Sequence, residues 1–314
     1  MFRSQVIKRD LRPYRARSFR FVFELILPAA ILIGSISLSH AATSIQIQPP
    51  RPVNGAPVLF RVKSSVHLES LTGVWLGHHI NFSFDPSSKT WFALAGVSLE
   101  TKPGSYALEL SGKMSEAKPE KDVISLTRKF TVTKAKYPKV ELTVSKQFTE
   151  PDPEQVKQIQ VDQDIKKDYL NRVTADREWV GKFNAPAKAA ISDVFGTQRV
   201  FNGKTQSSHL GLDFRVPSGT PVEAMNDGTV LLAQPLYFEG NCVVIDHGQG
   251  LLTIYMHLSE FTVKEGERIK RGDRIGFSGG SGRATGPHLH VSVRWQGAYL
   301  DPASLMRLSL PGQR

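Results

Sequence analysis

The sequence predicts a mostly β chain: a β-sandwich-like N-terminal domain, a helical linker and a small antiparallel β domain at the C-terminal end. Three observations predict it: period-two apolar runs between Ser44 and Thr133, a helix start at Asp152, and glycine-punctuated short apolar runs after Val180. With 314 residues the chain can bury two cores, and its 40% apolar content is that of a globular protein. The organisation expected is a leader over 1–41, a β domain over 42–135, a linker over 136–180 and a second β domain over 181–314.

The leader is read from charge and hydropathy. Arg3, Lys8, Arg9, Arg12, Arg15, Arg17 and Arg20 precede an apolar stretch from Phe21 to Leu38, which ends in Ser39-His-Ala-Ala42. A basic start, an apolar middle and small residues at the end are the pattern of an export signal cleaved after Ala41. An uncleaved anchor is the alternative, and the membrane is expected as a partner only through one of the two. Glu24 and Pro28 leave the uninterrupted part short for a span. The net charge of +11 suits a polyanionic surrounding, such as a membrane surface or a cell-wall polymer. Basic residues interleaved with aromatics, which a single-strand nucleic-acid binder needs, are absent, so no nucleic-acid partner is expected. The single cysteine, Cys242, excludes an intramolecular disulfide. Stability must come from packing, with a metal as a further source.

In the first β domain the runs are Ser44–Gln48, Val58–Val62, Trp91–Leu94, Tyr106–Leu110 and Lys129–Thr133, with Lys102-Pro-Gly-Ser105 as a turn. His78 and His79 are adjacent, so on a strand they point to opposite faces and do not share a metal. Asp152-Pro-Glu-Gln155 starts a helix, with Asp as N-cap, Pro at the first position and Gln at the third. Val156, Ile159, Ile165, Tyr169 and Val173 follow at spacings that fit one side of one or two helices over 153–178. Beyond Val180, Gly228–Leu232 and Cys242–Ile245 read as strands. Val263-Lys-Glu-Gly266 and Ile269-Lys-Arg-Gly272 repeat a strand and charged turn.

Chemistry concentrates in this last part. His288 and His290, two apart beside an alternating apolar run, would face one site about 6–7 Å apart on a strand rising ~3.3 Å per residue. His209-Leu-Gly-Leu-Asp213 sets an imidazole and a carboxylate four apart around a glycine. Thr253-Ile-Tyr-Met-His257 adds a histidine on a strand, and Asp246-His247 adds a turn pair for which a backbone-holding role is expected. A catalytic zinc needs three nitrogen or oxygen ligands and one open position. His209, Asp213 and one of His288 and His290 supply that set, and the remaining histidine with His257 is free for proton transfer and oxyanion stabilisation. Spacing alone leaves open which of His288 and His290 is the ligand.

Residues 190–303 resemble the lysostaphin-type (LytM-domain) zinc metallopeptidases that cut peptidoglycan peptides. The matching blocks are Phe195-Gly196 with Arg199, Ser208–Asp213, Gly219–Val222, Asp227–Val230, Gly240-Asn241, Ile245–Gly248, Tyr255–Leu258, Gly282–His290 and Asp301-Pro302. The resemblance implies one catalytic zinc on His209, Asp213 and His290, with His288 as acid/base and His257 as its partner near the oxyanion. It implies a zinc endopeptidase acting on peptidoglycan cross-links, exported to the periplasm or cell envelope. The alternative within this fold is a non-catalytic wall-binding protein or an activator of other wall hydrolases, for which the ligands need not be intact. Here all five positions are filled. Cleavage of a protein rather than of wall peptide shares the same chemistry.

Overall fold

The computed structural model describes residues 43–114, 123–142, 152–201 and 204–312. The leader expected over 1–41 falls outside them. Strands β1 (Ser44–Gln48), β2 (Pro57–Lys63), β3 (Leu68–Trp75) and β4 (His78–Asn81) come first. Then follow β5 (Ser83–Asp85), β6 (Thr90–Gly96), β7 (Gly104–Met114) and β8 (Val123–Val132). They make two four-stranded antiparallel sheets, ordered β1-β2-β6-β5 and β4-β3-β7-β8. Rings from the two sheets meet between them. Phe60 lies 5.2 Å from Trp75 and 5.7 Å from Phe130, centroid to centroid. The buried Trp75 indole N–H donates to the Gly96 carbonyl at 3.0 Å, so its one polar atom is satisfied inside the core.

The stretch expected as linker opens with a strand, β9 (Lys139–Leu142), and continues with helix α1 (Pro153–Leu170). The expected capping box is present: Asp152 accepts from Glu154 N and Gln155 N, and the Gln155 side chain returns to Asp152 N. The helix ends at Leu170, eight residues before the expected limit. The backbone beyond it is engaged elsewhere: Gln249 N donates to Thr174 O at 3.0 Å, and Arg177 bridges Gly248. These tertiary bonds replace the next helical turns. Val156 and Val173, expected on the packed side, are exposed. The only fully buried residue of α1 is Asp162.

The remaining strands are β10 (Ile191–Asp193), β11 (Gln198–Phe201), β12 (Lys204–Ser208), β13 (Leu212–Phe214), β14 (Pro221–Glu223) and β15 (Gly228–Leu236). After them come β16 (Gly240–Asp246), β17 (Leu251–Phe261), β18 (Arg268–Ile269), β19 (Arg274–Ser278), β20 (Leu289–Trp295) and β21 (Ala298–Leu300), then the short helix α2 (Pro302–Arg307). A 10-stranded sheet runs β10-β13-β20-β17-β16-β15-β18, with β19 on β17 and β14, and β21 on β20. Beside it, β9 adds in parallel to β11 to give a sheet ordered β12-β11-β9.

The unbroken apolar run of β16 is explained by burial on both faces. Val243 and Ile245 join the large core, which continues into the N-terminal sandwich, where Phe92 meets Trp179 at 5.9 Å. Cys242 and Val244 face the other way, into a smaller cluster with Leu232, Leu236, Leu252 and Ile254. Ile165, Tyr169 and Leu170 of α1 cover that cluster.

Candidate metal centre

Strand register builds the site. Asp213 on β13 is the direct partner of His290 on β20, and Met256 of β17 lies on the other side of His290. His209 precedes β13 and is held by two backbone bonds, from its N to Thr197 O and from Gly196 N to its O. The glycine between His209 and Asp213 has a steric reason. A Cβ on Gly211 would stand 2.4 Å from His290 Nε2, so only glycine leaves room for the ring.

Three donor atoms converge there. His209 Nε2 is 3.1 Å from Asp213 Oδ1 and 3.1 Å from His290 Nδ1, and His290 Nδ1 is 2.7 Å from Asp213 Oδ1. The His209 Nδ1–H donates to Val194 O at 2.9 Å, which turns Nε2 towards the cluster as the nitrogen that can ligate. His290 Nε2 is taken by Ser292 Oγ at 2.9 Å, so Nδ1 is the nitrogen turned inward. A bare imidazole nitrogen and a carboxylate oxygen at 3.1 Å repel unless a cation lies between them. The donor set therefore fits a metal ion: two imidazoles and one carboxylate, a three-ligand set that leaves a fourth position open. Among the described residues it is the one such cluster.

Burial pushes the Asp213 carboxyl up, but the facing His209 and His290 rings outweigh it and hold the group far below the ordinary carboxylate range, so it stays ionised. Burial pushes His290 down against the opposing pull of Asp213. Arg199 Nη2 is 2.8 Å from Asp193 Oδ2 and 3.7 Å from Asp213 Oδ2, and that Asp193 oxygen is 3.4 Å from His209 Nδ1. In the sequence Arg199 stands out only within a matching block, and Asp193 carries no spacing signal at all.

Two more imidazoles border the cluster. His288 lies one residue before β20, joined by a bridge to Gly279. Its Nδ1–H donates to Gly286 O at 2.8 Å, and Nε2 stops 3.9 Å from Asp213 Oδ1, beyond hydrogen-bond reach. His257 sits in β17 with φ of 60°, a left-handed backbone unusual for a residue with a Cβ. Its Nδ1–H donates to Ser281 O at 2.9 Å. Burial pushes its pKa down to about 4, so the ring is neutral at pH 7. The His257 and His288 rings are 4.8 Å apart, and His257 is 6.1 Å from His290. All five expected residues thus meet in one place.

The other histidines that the sequence singled out do not join. His247 is wholly buried, with Nδ1–H donating to Asp227 O at 2.6 Å and Nε2 2.8 Å from Thr253 Oγ1. That is a structural role, as expected for this pair. His78 stacks on Trp295 at 5.1 Å, and His79 uses its carbonyl to accept from Gln296.

A buried His/Asp/His cluster on paired antiparallel strands, flanked by two further imidazoles, defines a metallopeptidase-type domain. The model of "Peptidase family M23" matches residues 207–302. The catalytic domain of lysostaphin from Staphylococcus simulans is 31% identical, with 38% of this chain and 93% of that chain covered and a TM-score of 0.35. The chain belongs to peptidase family M23 through this C-terminal domain. A Pseudomonas aeruginosa protein crystallised as a candidate M23 peptidase covers more: 82% of this chain and 95% of that one, at 28% identity and a TM-score of 0.62. Among curated relatives, peptidoglycan DD-endopeptidase ShyA of Vibrio cholerae is 40% identical over 131 residues, 41% of this chain and 30% of that protein. The DD-carboxypeptidase/endopeptidase Mpg of Neisseria meningitidis is 41% identical over 115 residues, 37% of this chain and 26% of that protein. The match thus spans under a third of either curated relative.

Proposed function

We propose that the protein is a zinc-dependent endopeptidase of the cell envelope that hydrolyses peptide cross-links of peptidoglycan. The observation that carries this reading is the convergence of His209 Nε2, Asp213 Oδ1 and His290 Nδ1 beside the His257–His288 pair. The relatives named DD-endopeptidases support a bond between D-residues as the target. His209, Asp213 and His290 would hold one zinc ion. Zinc there supplies Lewis acidity, polarising a carbonyl and lowering the pKa of water from about 15.7 towards about 7.

The chain's own residues move the proton. His288 and His257 both commit Nδ1–H to a backbone carbonyl, so each offers a bare Nε2. His288, the less buried of the two, takes the proton from the attacking water and returns it to the leaving amine. His257 stands beside the developing oxyanion and takes up the proton when the pair shares it. Arg199 and Asp193 keep Asp213 and His209 in place from behind. The leader expected over 1–41 would deliver the protein to the envelope. Among the described residues no helix is long and apolar enough to cross a membrane.

Digestion of purified sacculi by the zinc-loaded full chain tests the proposal, with mass spectrometry of the products. Cross-linked muropeptides should fall to monomers cut at one bond, and a chelator should stop the reaction. Sacculi left intact by protein of full zinc content would exclude it.

A further inference from the structure

Helix α1 lies outside the segment matched to the peptidase family, yet its polar residues reach the backbone that carries His257. Asp162 is 2% exposed on a helix none of whose other residues is buried. A buried carboxylate must be hydrogen-bonded, and Asp162 is: Oδ2 accepts from Tyr237 N at 2.5 Å and Oδ1 from Gln158 Nε2 at 2.8 Å. One turn on, Lys166 Nζ meets Glu239 Oε1 at 2.8 Å, with the two side chains 24% and 13% exposed. The other Glu239 oxygen is buried and accepts no hydrogen bond, so Lys166 is the one side chain ion-paired to this carboxylate among the described residues.

Tyr237 and Glu239 belong to the turn between β15 and β16, and that turn touches His257 directly. The Glu239 carbonyl accepts from His257 N at 2.8 Å. Two residues later, Asn241 N donates to Ser281 Oγ at 2.9 Å, and Ser281 O receives the His257 Nδ1–H. The turn and the 281–288 loop approach so closely that a Cβ on Gly240 would lie 2.3 Å from Ser281 Oγ, and one on Gly282 would lie 2.3 Å from Gly240 N. Both contacts that fix His257, one on its backbone and one on its ring, therefore run through residues 239–241. A left-handed, non-glycine residue persists only where its surroundings over-determine it.

We propose that α1, through Asp162 and Lys166, positions the proton-transfer histidine His257 by holding the 237–241 turn. Asp162 and Lys166 are positioning residues: neither reaches the metal cluster, and each acts through the turn. The inference rests on the peptidase reading for its kinetic half only.

The test uses the full chain with Asp162→Ala and Asp162→Asn. Hydrogen exchange of the His257 and Tyr237 amides is measured on metal-free protein, beside kcat, KM and zinc content on cross-linked muropeptides. Asp162→Ala should speed exchange at both amides at least about tenfold while β20 amides stay protected, and lower kcat about ten- to a hundredfold with KM and zinc content unchanged. Asp162→Asn, which keeps an acceptor for Tyr237 N, should recover most of both. Unchanged exchange at His257 in Asp162→Ala would overturn the proposal. So would a general rise in exchange across β20, or a loss of zinc together with kcat, since either marks a merely structural role. A parent inactive on muropeptides, with the local exchange change intact, would refute the peptidase reading and leave the coupling of α1 to His257 supported.

Discussion

The two walls of the site are made differently. On one, Asp213 and His290 are cross-strand partners in regular sheet, and His209 enters just ahead of the same strand. On the other, His257 is on a left-handed residue within a register shift, and His288 stands before its strand begins. Regular pairing fixes donor atoms without help from afar, because register sets which side chains meet. Irregular backbone does not fix itself, and the proton-transfer wall leans on Ser281, on Glu239 and, behind them, on α1.

The contrast can be broken most severely at the ligands. His290→Ala should leave the protein without bound zinc and without hydrolysis, read by metal analysis beside sacculus digestion; a zinc-free but active variant would overturn the ligand assignment. His288→Ala belongs to the other wall. It should retain zinc in stoichiometric amount and lose roughly 10²–10⁴ in turnover, and loss of zinc would move His288 to the ligand wall.

A subtler blow falls on the regular wall at Gly211. Because an added Cβ meets the His290 ring at 2.4 Å, Gly211→Ala should weaken zinc binding about 10- to 100-fold by chelator competition, with His257 unaffected. Unchanged affinity would mean the ring has slack that strand pairing does not remove.

The smallest expected effect concerns a histidine in neither wall. Burial pushes His247 down to about 4, against about 6.5 for an unfolded chain. Between those values the unfolded state binds a proton that the folded state does not, so stability is full above about pH 6.5 and falls as pH drops towards about 4. The loss is on the order of 3 kcal/mol, read from urea unfolding across that range. His247→Gln should be less stable at neutral pH and show a shallower decline, and an unchanged slope would assign the titration elsewhere.

The sequence disclosed these two walls unequally. His209 and Asp213 were legible as an imidazole and a carboxylate four apart, and His288 and His290 as a pair two apart; spacing left open which of that pair is the ligand, and only the family resemblance pointed to His290. His257 was legible as a histidine on a strand, but not its left-handed backbone, which arises from a bulge set by the neighbouring turn. Nothing in the spacing of α1 singles out Asp162, which becomes buried where Tyr237 N and Gln158 meet its carboxylate. The stretch to 178 was expected to be one or two helices because propensity does not register the bonds that Thr174 and Arg177 make to the β16–β17 turn. Asp193, two residues ahead of the Phe195-Gly196 block, carries no signal until β11 brings Arg199 beside it.

Cys242 has a consequence of another kind. Its thiol is 1% exposed between the sheet and α1, and burial pushes its pKa well above the ordinary thiol range. Thiolate is the reactive form, so in the folded chain this thiol is withheld from alkylating reagents and disulfide exchange. A sole sulfhydryl buried in this way does not cross-link the folded protein to its neighbours. It also makes a built-in reporter, since the sulfur becomes reactive only when α1 parts from the sheet or the fold opens.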